Sequence, residues 1–158
     1  MSAVITTQVL APLSGRILIL ADVPDPVFAN GFVGHGGAIR PPQEAVDVVA
    51  PIGGTVKALF PHAFVISSSD EVNVLVHLGL DTAQLAGAGF TARTHKGARV
   101  EAGEPLMTYN VPLVEAAGHS PIVPVTFLEQ HPESVRLVAS VAPGSTVASG
   151  DPFLTLGS

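Results

Sequence analysis

Two stretches of the chain share one pattern, and they decide the expected fold: Gly97-Ala-Arg-Val-Glu-Ala-Gly-Glu-Pro-Leu106 and Gly144-Ser-Thr-Val-Ala-Ser-Gly-Asp-Pro-Phe153. Both read Gly-x-x-Val-x-x-Gly-acid-Pro-apolar. This pattern is typical of a strand that enters a glycine turn and leaves into another strand. The alternative is a coincidence between two glycine-rich turns. If the match is a true repeat, it predicts two similar β-motifs packed together.

A second, shorter similarity links residues 11–15, Ala-Pro-Leu-Ser-Gly, with residues 50–54, Ala-Pro-Ile-Gly-Gly. Short apolar runs bounded by Gly, Pro, Ser or Asp predict strands; they cover residues 17–20, 55–60, 63–66, 72–76 and 121–126. Only residues 112–118 look helical, with a further single turn possible over residues 82–85. We therefore predict an all-β sandwich or barrel of short strands with one or two short helical segments.

The amino-acid composition indicates an ordered globular protein and argues against several classes of partner. The 158 residues are 47% hydrophobic and 13% charged, which suits an ordered globular chain, and we expect one domain over residues 1–158. A net charge of −6 with only seven Lys and Arg argues against nucleic acid or an anionic membrane as partner and favours a basic protein. The lack of cysteine excludes disulfides, thiol nucleophiles and cysteine-zinc sites. No secretory signal or membrane-spanning run is seen, so we expect a cytoplasmic protein, with a monomer as the default.

The segment from His62 to His77 contains the candidate chemistry. Two apolar runs flank a polar turn, which is a hairpin pattern. A turn centred between Ser69 and Asp70 would place residue 62 directly opposite residue 77, where Cβ atoms lie about 4.5–5.5 Å apart. We therefore predict that the two imidazoles lie side by side on one face of the hairpin.

Paired imidazoles suit metal binding or phosphoryl carriage, and a cross-strand polar pair without any chemistry is the plain alternative. The residues after His77 favour phosphoryl carriage. Gly79 would leave the imidazole uncovered, and Thr82 could donate a hydrogen bond to a phosphate oxygen. Asp81 could meet a cation on a partner, and it could also cap the short turn that follows.

The sequence resembles the glucose-type enzyme IIA proteins of the bacterial phosphotransferase system, closest to the single-domain actinobacterial type. The similarity runs from about Val9 to Leu128. The matching segments, in order, are residues 11–15, 23–28, 50–55, 62–64, 74–82, 84–90 and 108–113.

This resemblance implies an antiparallel β-sandwich built from a duplicated motif. It also implies that His77 accepts a phosphoryl group from the histidine carrier HPr and passes it to a cysteine of enzyme IIB, for coupled sugar uptake and phosphorylation. His62 would stabilise the phosphoryl group. No organic cofactor or metal is required, although the two histidines could hold adventitious zinc. The implied partner face is an apolar depression with carboxylates, consisting of Asp25, Val27, Phe28, Val33, Phe60, Leu75, Gly79, Asp81 and Thr82.

The chain departs from the family pattern at three places. Glu71 stands where a glycine is usual, which we expect to alter the turn geometry more than the chemistry. Leu59-Phe60-Pro61 replaces a longer loop whose threonine orients the histidine pair, so another group must orient it. Residues 1–8 form a short tail that lacks a basic face, and we expect no membrane-binding tail.

Two other classes fit less well. His77-x-x-x-Asp81 resembles part of the zinc site of lysostaphin-like endopeptidases, but the His-x-His pair which those enzymes need is missing. A biotinyl or lipoyl carrier would need a lysine at a hairpin tip, and neither Lys57 nor Lys96 is so placed. His35 is expected to be an exposed loop residue without a function.

Overall fold

The computed structural model describes residues 7–138 and 141–157. The strands are β1 Thr7–Leu10, β2 Gly15–Ile19, β3 His35–Arg40, β4 Ala45–Val49, β5 Gly54–Phe60, β6 Ala63–Ser67, β7 Asn73–His77, β8 Phe90–Ala92, β9 Arg99–Val100, β10 Pro105–Asn110, β11 Val123–Phe127, β12 Val135–Leu137, β13 Thr146–Val147 and β14 Pro152–Leu156. The helices are α1 Pro26–Ala29 and α2 Val111–Ala116, with 3-10 turns at Leu20–Asp22, Thr82–Leu85 and Pro132–Ser134. None of the described helices has the length and apolar character to cross a membrane.

The strands form three sheets. The large sheet has the order β13-β2-β3-β11-β7-β6-β5-β9, and two smaller sheets have the orders β1-β14-β12 and β4-β10-β8. Every strand pairing within the described residues is antiparallel. The predicted all-β fold with short helical segments is confirmed.

The two sequence similarities belong to one structural motif that occurs twice. Each copy combines an Ala-Pro segment with one of the glycine turns. The amide of Gly103 donates to the carbonyl of Ala50 at 2.8 Å, and the amide of Gly150 donates to the carbonyl of Ala11 at 2.9 Å. In each case the strand before the glycine turn pairs with the strand that follows the Ala-Pro segment: β9 pairs with β5, and β13 with β2. The repeat is therefore real, because its two copies make the same hydrogen bonds at equivalent positions.

The main core lies between the sheets and holds large side chains with no exposed surface, including Phe64, Tyr109, Phe127 and Phe153. Full burial of such a side chain contributes about 1.5–3 kcal/mol. A second, smaller cluster packs on the opposite face of the large sheet. Its buried members are Leu20, Val23, Phe28, Ala38, Ala63, Leu75, Leu80 and Ile122. This second cluster supports the histidine pair described below.

The helix prediction is confirmed at one place and incomplete at another. Helix α2 begins after Asn110, whose side-chain oxygen accepts from the Leu113 amide at 3.2 Å, within a residue of the predicted start. Helix α1 was not predicted, because four residues are too few to show helical periodicity. The expected tail over residues 1–8 falls largely outside the described residues, but Thr7 and Gln8 belong to β1 and are not part of a tail.

The register predicted for the β6–β7 hairpin is wrong by one residue. Ser67 pairs with Asn73, and Ala63 with His77, so residue 62 is not directly opposite residue 77. The Ser68 amide donates to the Val72 carbonyl at 2.9 Å, which leaves the three residues 69–71 as the loop. The Glu71 amide donates to the Ser68 carbonyl at 3.0 Å, and Glu71 takes a left-handed φ of 62°. A turn followed by one left-handed residue is the usual three-residue hairpin loop. Glu71 thus adopts, at a cost, the left-handed conformation that glycine takes freely.

Replacing Glu71 with glycine is expected to stabilise the protein. A left-handed conformation costs a residue with a side chain about 1–2 kcal/mol, and part of this is offset by the flexibility that glycine adds to the unfolded chain. We expect Glu71→Gly to raise the free energy of unfolding by up to about 1 kcal/mol in urea denaturation. Asp70→Gly is the matched control, since Asp70 has no left-handed φ, and it should destabilise. Equal effects of the two substitutions would contradict this account.

Candidate functional site

His77 is the last residue of β7, an internal strand of the large sheet. Side chains alternate along a strand, so Val76 points into the main core while Leu75 and His77 share the opposite face. Leu75 belongs to the second cluster, and the His77 ring is half-buried beside it. The rigid sheet therefore presents His77 at a partly solvent-exposed surface.

His62 reaches the same place from a turn. Pro61 and His62 form the two-residue connection between β5 and β6, and the His62 carbonyl accepts from the Leu78 amide at 2.7 Å. The centroids of the His62 and His77 rings are 5.0 Å apart, with 71° between the ring planes. The rings are close despite the shifted register, because His62 lies outside β6 and need not follow the alternation of the strand.

A hydrogen bond within the turn after β7 determines which nitrogen of His77 is reactive. Nδ1 of His77 lies 2.6 Å from the carbonyl oxygen of Gly79. Because a carbonyl can only accept, Nδ1 carries the proton, and in the neutral ring Nε2 keeps its lone pair. The geometry therefore assigns Nε2 as the nucleophilic atom.

Gly79 serves a different purpose from the expected one. It was predicted to leave the imidazole uncovered, but it is buried, and its φ of 84° aims its carbonyl at His77. A Cβ at this position would lie 2.5 Å from Cγ2 of Thr82 and 3.0 Å from the carbonyl oxygen of Ser120. Both the backbone conformation and the packing thus require glycine.

Thr82 does not have its predicted role. The residue has no exposed surface, and its hydroxyl donates to the Leu78 carbonyl at 2.7 Å. It cannot reach a phosphate in solution, and it instead holds the turn after His77 in place. Asp81 is exposed and precedes the 3-10 turn, but its side chain forms no capping hydrogen bond.

Burial lowers the pKa of both histidines, and nearby charges oppose this effect at His77 but add to it at His62. Burial lowers the pKa of His77 below the usual 6.5, whereas the Gly79 carbonyl and the carboxylates of Asp25 and Asp81 act to raise it. Burial also lowers the pKa of His62, and the neighbouring His77 lowers it further. Both rings are therefore mainly neutral at pH 7, which is the form needed for nucleophilic attack.

Aromatic rings flank the pair on both sides. The ring centroids of Phe28 and His77 are 5.1 Å apart in an edge-on arrangement, and those of Phe60 and His62 are 6.0 Å apart. Within the described part of the chain the His62 ring forms no hydrogen bond, and it packs between the rings of Phe60 and His77. Asp25 accepts from the Val27 amide at 2.9 Å and thereby caps α1, the helix that carries Phe28.

The members of the expected partner face differ in exposure. Val27 is 49% exposed and Phe60 53%, whereas Phe28 and Leu75 are buried beneath them and Val33 is half-buried. Sequence reasoning missed Phe32, which is 77% exposed and whose amide donates to the Val27 carbonyl. The available signal was an aromatic residue between glycines in a turn.

His35 was wrongly expected in an exposed loop. It is half-buried, begins β3 opposite Phe127, and its ring packs against Gly31. Among residues 7–138 and 141–157, no three His, Cys, Asp or Glu side chains gather closely enough to hold a metal ion. His62 and His77 alone would supply two of the four ligands that a zinc centre needs.

Comparison with known proteins assigns the family. Residues 7–132 match the family of the phosphoenolpyruvate-dependent sugar phosphotransferase system, EIIA 1. The chain belongs to this family. All the site residues named above, from Asp25 to Thr82, lie within the matched range.

Individual relatives agree with this assignment. The PTS system glucose-specific EIIA component of Oceanobacillus iheyensis is 36% identical over 135 residues, which is 84% of this chain and 79% of the relative. The component of that name from Buchnera aphidicola is 34% identical over 145 residues, or 89% of each chain. Among solved structures, the glucose permease IIA from Mycoplasma capricolum superposes with a TM-score of 0.84 at 33% identity and covers 96% of both chains.

The assigned proton position and the lowered pKa values can be measured directly. In a ¹⁵N NMR titration, His77 should show the Nδ1–H tautomer at pH 7.5, and both rings should titrate below 6.5. The unfolded chain then takes up these protons at higher pH than the folded one, so the free energy of unfolding should decrease as the pH falls below about 6.5. His77→Gln should weaken this pH dependence. An Nε2–H tautomer for His77, or titration above 6.5, would contradict the site geometry.

Proposed function

We propose that the chain is a phosphocarrier which accepts a phosphoryl group from phospho-HPr on His77 and passes it to a cysteine of enzyme IIB. The hydrogen bond between His77 Nδ1 and the Gly79 carbonyl, beside a second neutral histidine, is the observation that carries the proposal. Membership of the EIIA family supports it.

In the first transfer, the Nε2 lone pair of His77 attacks the phosphorus atom of phospho-HPr. The new N–P bond forms as the P–N bond to the HPr histidine breaks, and the leaving imidazole keeps the electron pair. Beyond the attacking nitrogen, the protein takes no part in bond making or breaking. Catalysis therefore depends on positioning the reactants and on neutralising the charge of the phosphoryl oxygens. The hydrogen bond to Gly79 contributes to both, because it orients the ring and stabilises the positive charge that develops on it.

His62 is proposed to stabilise the transferred group. Its neutral ring carries one N–H donor, and it lies close enough to His77 to direct that donor at an oxygen of the phosphoryl group. A positioned donor is most effective where oxygen charge increases during transfer. His62 therefore contributes mainly when the group leaves for the IIB thiolate, whose sulfur attacks phosphorus while the N–P bond breaks.

The surface around the pair suits a basic partner with an apolar centre. Val27, Phe32 and Phe60 expose apolar area, while Asp25 and Asp81 supply carboxylates whose charge raises the pKa of His77. Arginines of HPr would pair with these carboxylates. Gly79 and Thr82 act from below the surface by shaping the turn, since both are buried.

Intact-mass analysis tests the carrier role. After incubation with phosphoenolpyruvate, enzyme I and HPr, the wild type should gain one acid-labile phosphoryl group, and His77→Gln should gain none. His131→Gln removes an exposed histidine outside the site and is the matched control, which should still be labelled. His62→Gln should accept the group but transfer it to IIB about a hundredfold more slowly. A labelled His77→Gln protein, or normal onward transfer by His62→Gln, would refute the assigned roles.

Phe32 is expected to act in docking alone. Phe32→Ser removes the most exposed apolar side chain of the described surface, so the KM for phospho-HPr should rise about tenfold with little change in the saturated rate. Leu113→Ser is the control, because Leu113 is also exposed but belongs to α2, which contributes no residue to the proposed docking face. Steady-state phosphorylation kinetics distinguish the two variants. If both substitutions change the KM for phospho-HPr equally, Phe32 is not part of the docking face.

A further inference from the structure

Two arginines lie directly opposite each other on neighbouring strands. Arg16 of β2 pairs with Arg40 of β3, and both side chains are exposed. Residues in direct antiparallel register point to the same face with Cβ atoms about 4.5–5.5 Å apart, and like charges in this arrangement destabilise a sheet. The fold thus holds two positive charges close together, and their repulsion lowers the stability of the sheet.

No carboxylate of the described chain neutralises this pair. The one ion pair found among residues 7–138 and 141–157 joins Arg93 to Asp47. The sequence has 13 Asp and Glu against seven Lys and Arg, so acidic side chains are plentiful. Although the protein is acidic, no carboxylate of the described chain pairs with these two arginines. Their positive charge can therefore be neutralised by an anion bound from solution.

The pair opens onto a groove of about 710 Å³. The groove is lined by Ser14, Gly15, Arg16, Arg40, Pro41, Pro42, Thr146, Val147 and Ala148. No acidic residue is among them. Thr146 of β13 is directly opposite Arg16, so its hydroxyl lies in the same cross-strand row as the two guanidinium groups.

We propose that this groove binds a small phosphate-bearing molecule through Arg16, Arg40 and Thr146. A guanidinium group binds phosphate with two parallel N–H donors, and two such groups match the double negative charge of a phosphate ester. A carboxylate offers one negative charge and two oxygens, whereas a phosphate ester offers about two charges and three acceptor oxygens. The remaining volume of the groove accommodates the organic part of the ligand beside Pro41 and Pro42.

The groove is separate from the histidine pair, although both lie on one face of the large sheet. Arg40 is two residues from Ala38, so both point to the face of the second cluster, which also supports His77. Strands β3 and β11 lie between β2 and β7. The proposal is therefore independent of phosphoryl transfer, and its test needs no transfer assay.

Isothermal titration with inorganic phosphate and with glycerol phosphate, at constant ionic strength set by chloride, tests the site. The wild-type protein should bind at least one of them, with amide NMR shifts at Arg16, Arg40 and Thr146. Tighter binding of glycerol phosphate would identify an ester as the ligand, whereas equal binding would identify free phosphate. Arg16→Glu should weaken binding at least about tenfold.

Arg16→Glu is also expected to change the stability of the fold. It replaces a repulsive pair by an attractive one with Arg40, so its urea midpoint should rise while binding is lost. Arg136→Gln is the matched control, an exposed arginine on β12 outside the groove, and it should bind as the wild type does. The proposal is overturned if the wild type binds neither phosphate compound, if Arg16→Glu binds equally well, or if only an Asp- and Glu-rich peptide binds.

Discussion

The site depends on the turn that follows β7, where the backbone at Gly79 reverses and returns its carbonyl to His77. This conformation is held from three directions. The Thr82 hydroxyl donates to the Leu78 carbonyl, the Leu80 amide donates to the Ser120 carbonyl, and the packing at Gly79 leaves no room for a side chain. Because buried contacts fix the turn, His77 is held in one tautomer and one orientation, which is the pre-organisation that the proposed phosphoryl transfer would require.

The duplicated motif connects the outer strands of the large sheet. Each copy joins an Ala-Pro segment to a distant glycine turn through backbone hydrogen bonds, at Ala11 with Gly150 and at Ala50 with Gly103. These bonds connect residues far apart in the chain, so the outer strands of the large sheet are held by long-range pairing. The strand that bears His77 lies inside this sheet and has hydrogen-bonded neighbours on both sides.

Charge is distributed unevenly over one face of the large sheet. Carboxylates from Asp25 and Asp81 act on His77 of the internal strand β7, whereas Arg16 and Arg40 face each other on β2 and β3, near the β13 edge. The acidic region lies among exposed apolar side chains, which is the composition expected of the proposed docking surface. The arginine pair instead lines the groove proposed to bind a small anion. The two proposed recognition surfaces on this β-face therefore have opposite charge.

The sequence alone determined the β-class, the duplicated motif and helix α2, and it correctly predicted that the rings of His62 and His77 lie side by side, because these features follow from repeats, turn residues and strand patterns. It misplaced the hairpin register, missed α1 and assigned Thr82 to the phosphate. Register depends on whether Glu71 adopts a left-handed conformation, and the burial of Thr82 depends on how segments distant in the chain pack around Gly79. Only the tertiary structure decided which nitrogen of His77 is free, since a carbonyl two residues away must be turned towards the ring and held there by the core.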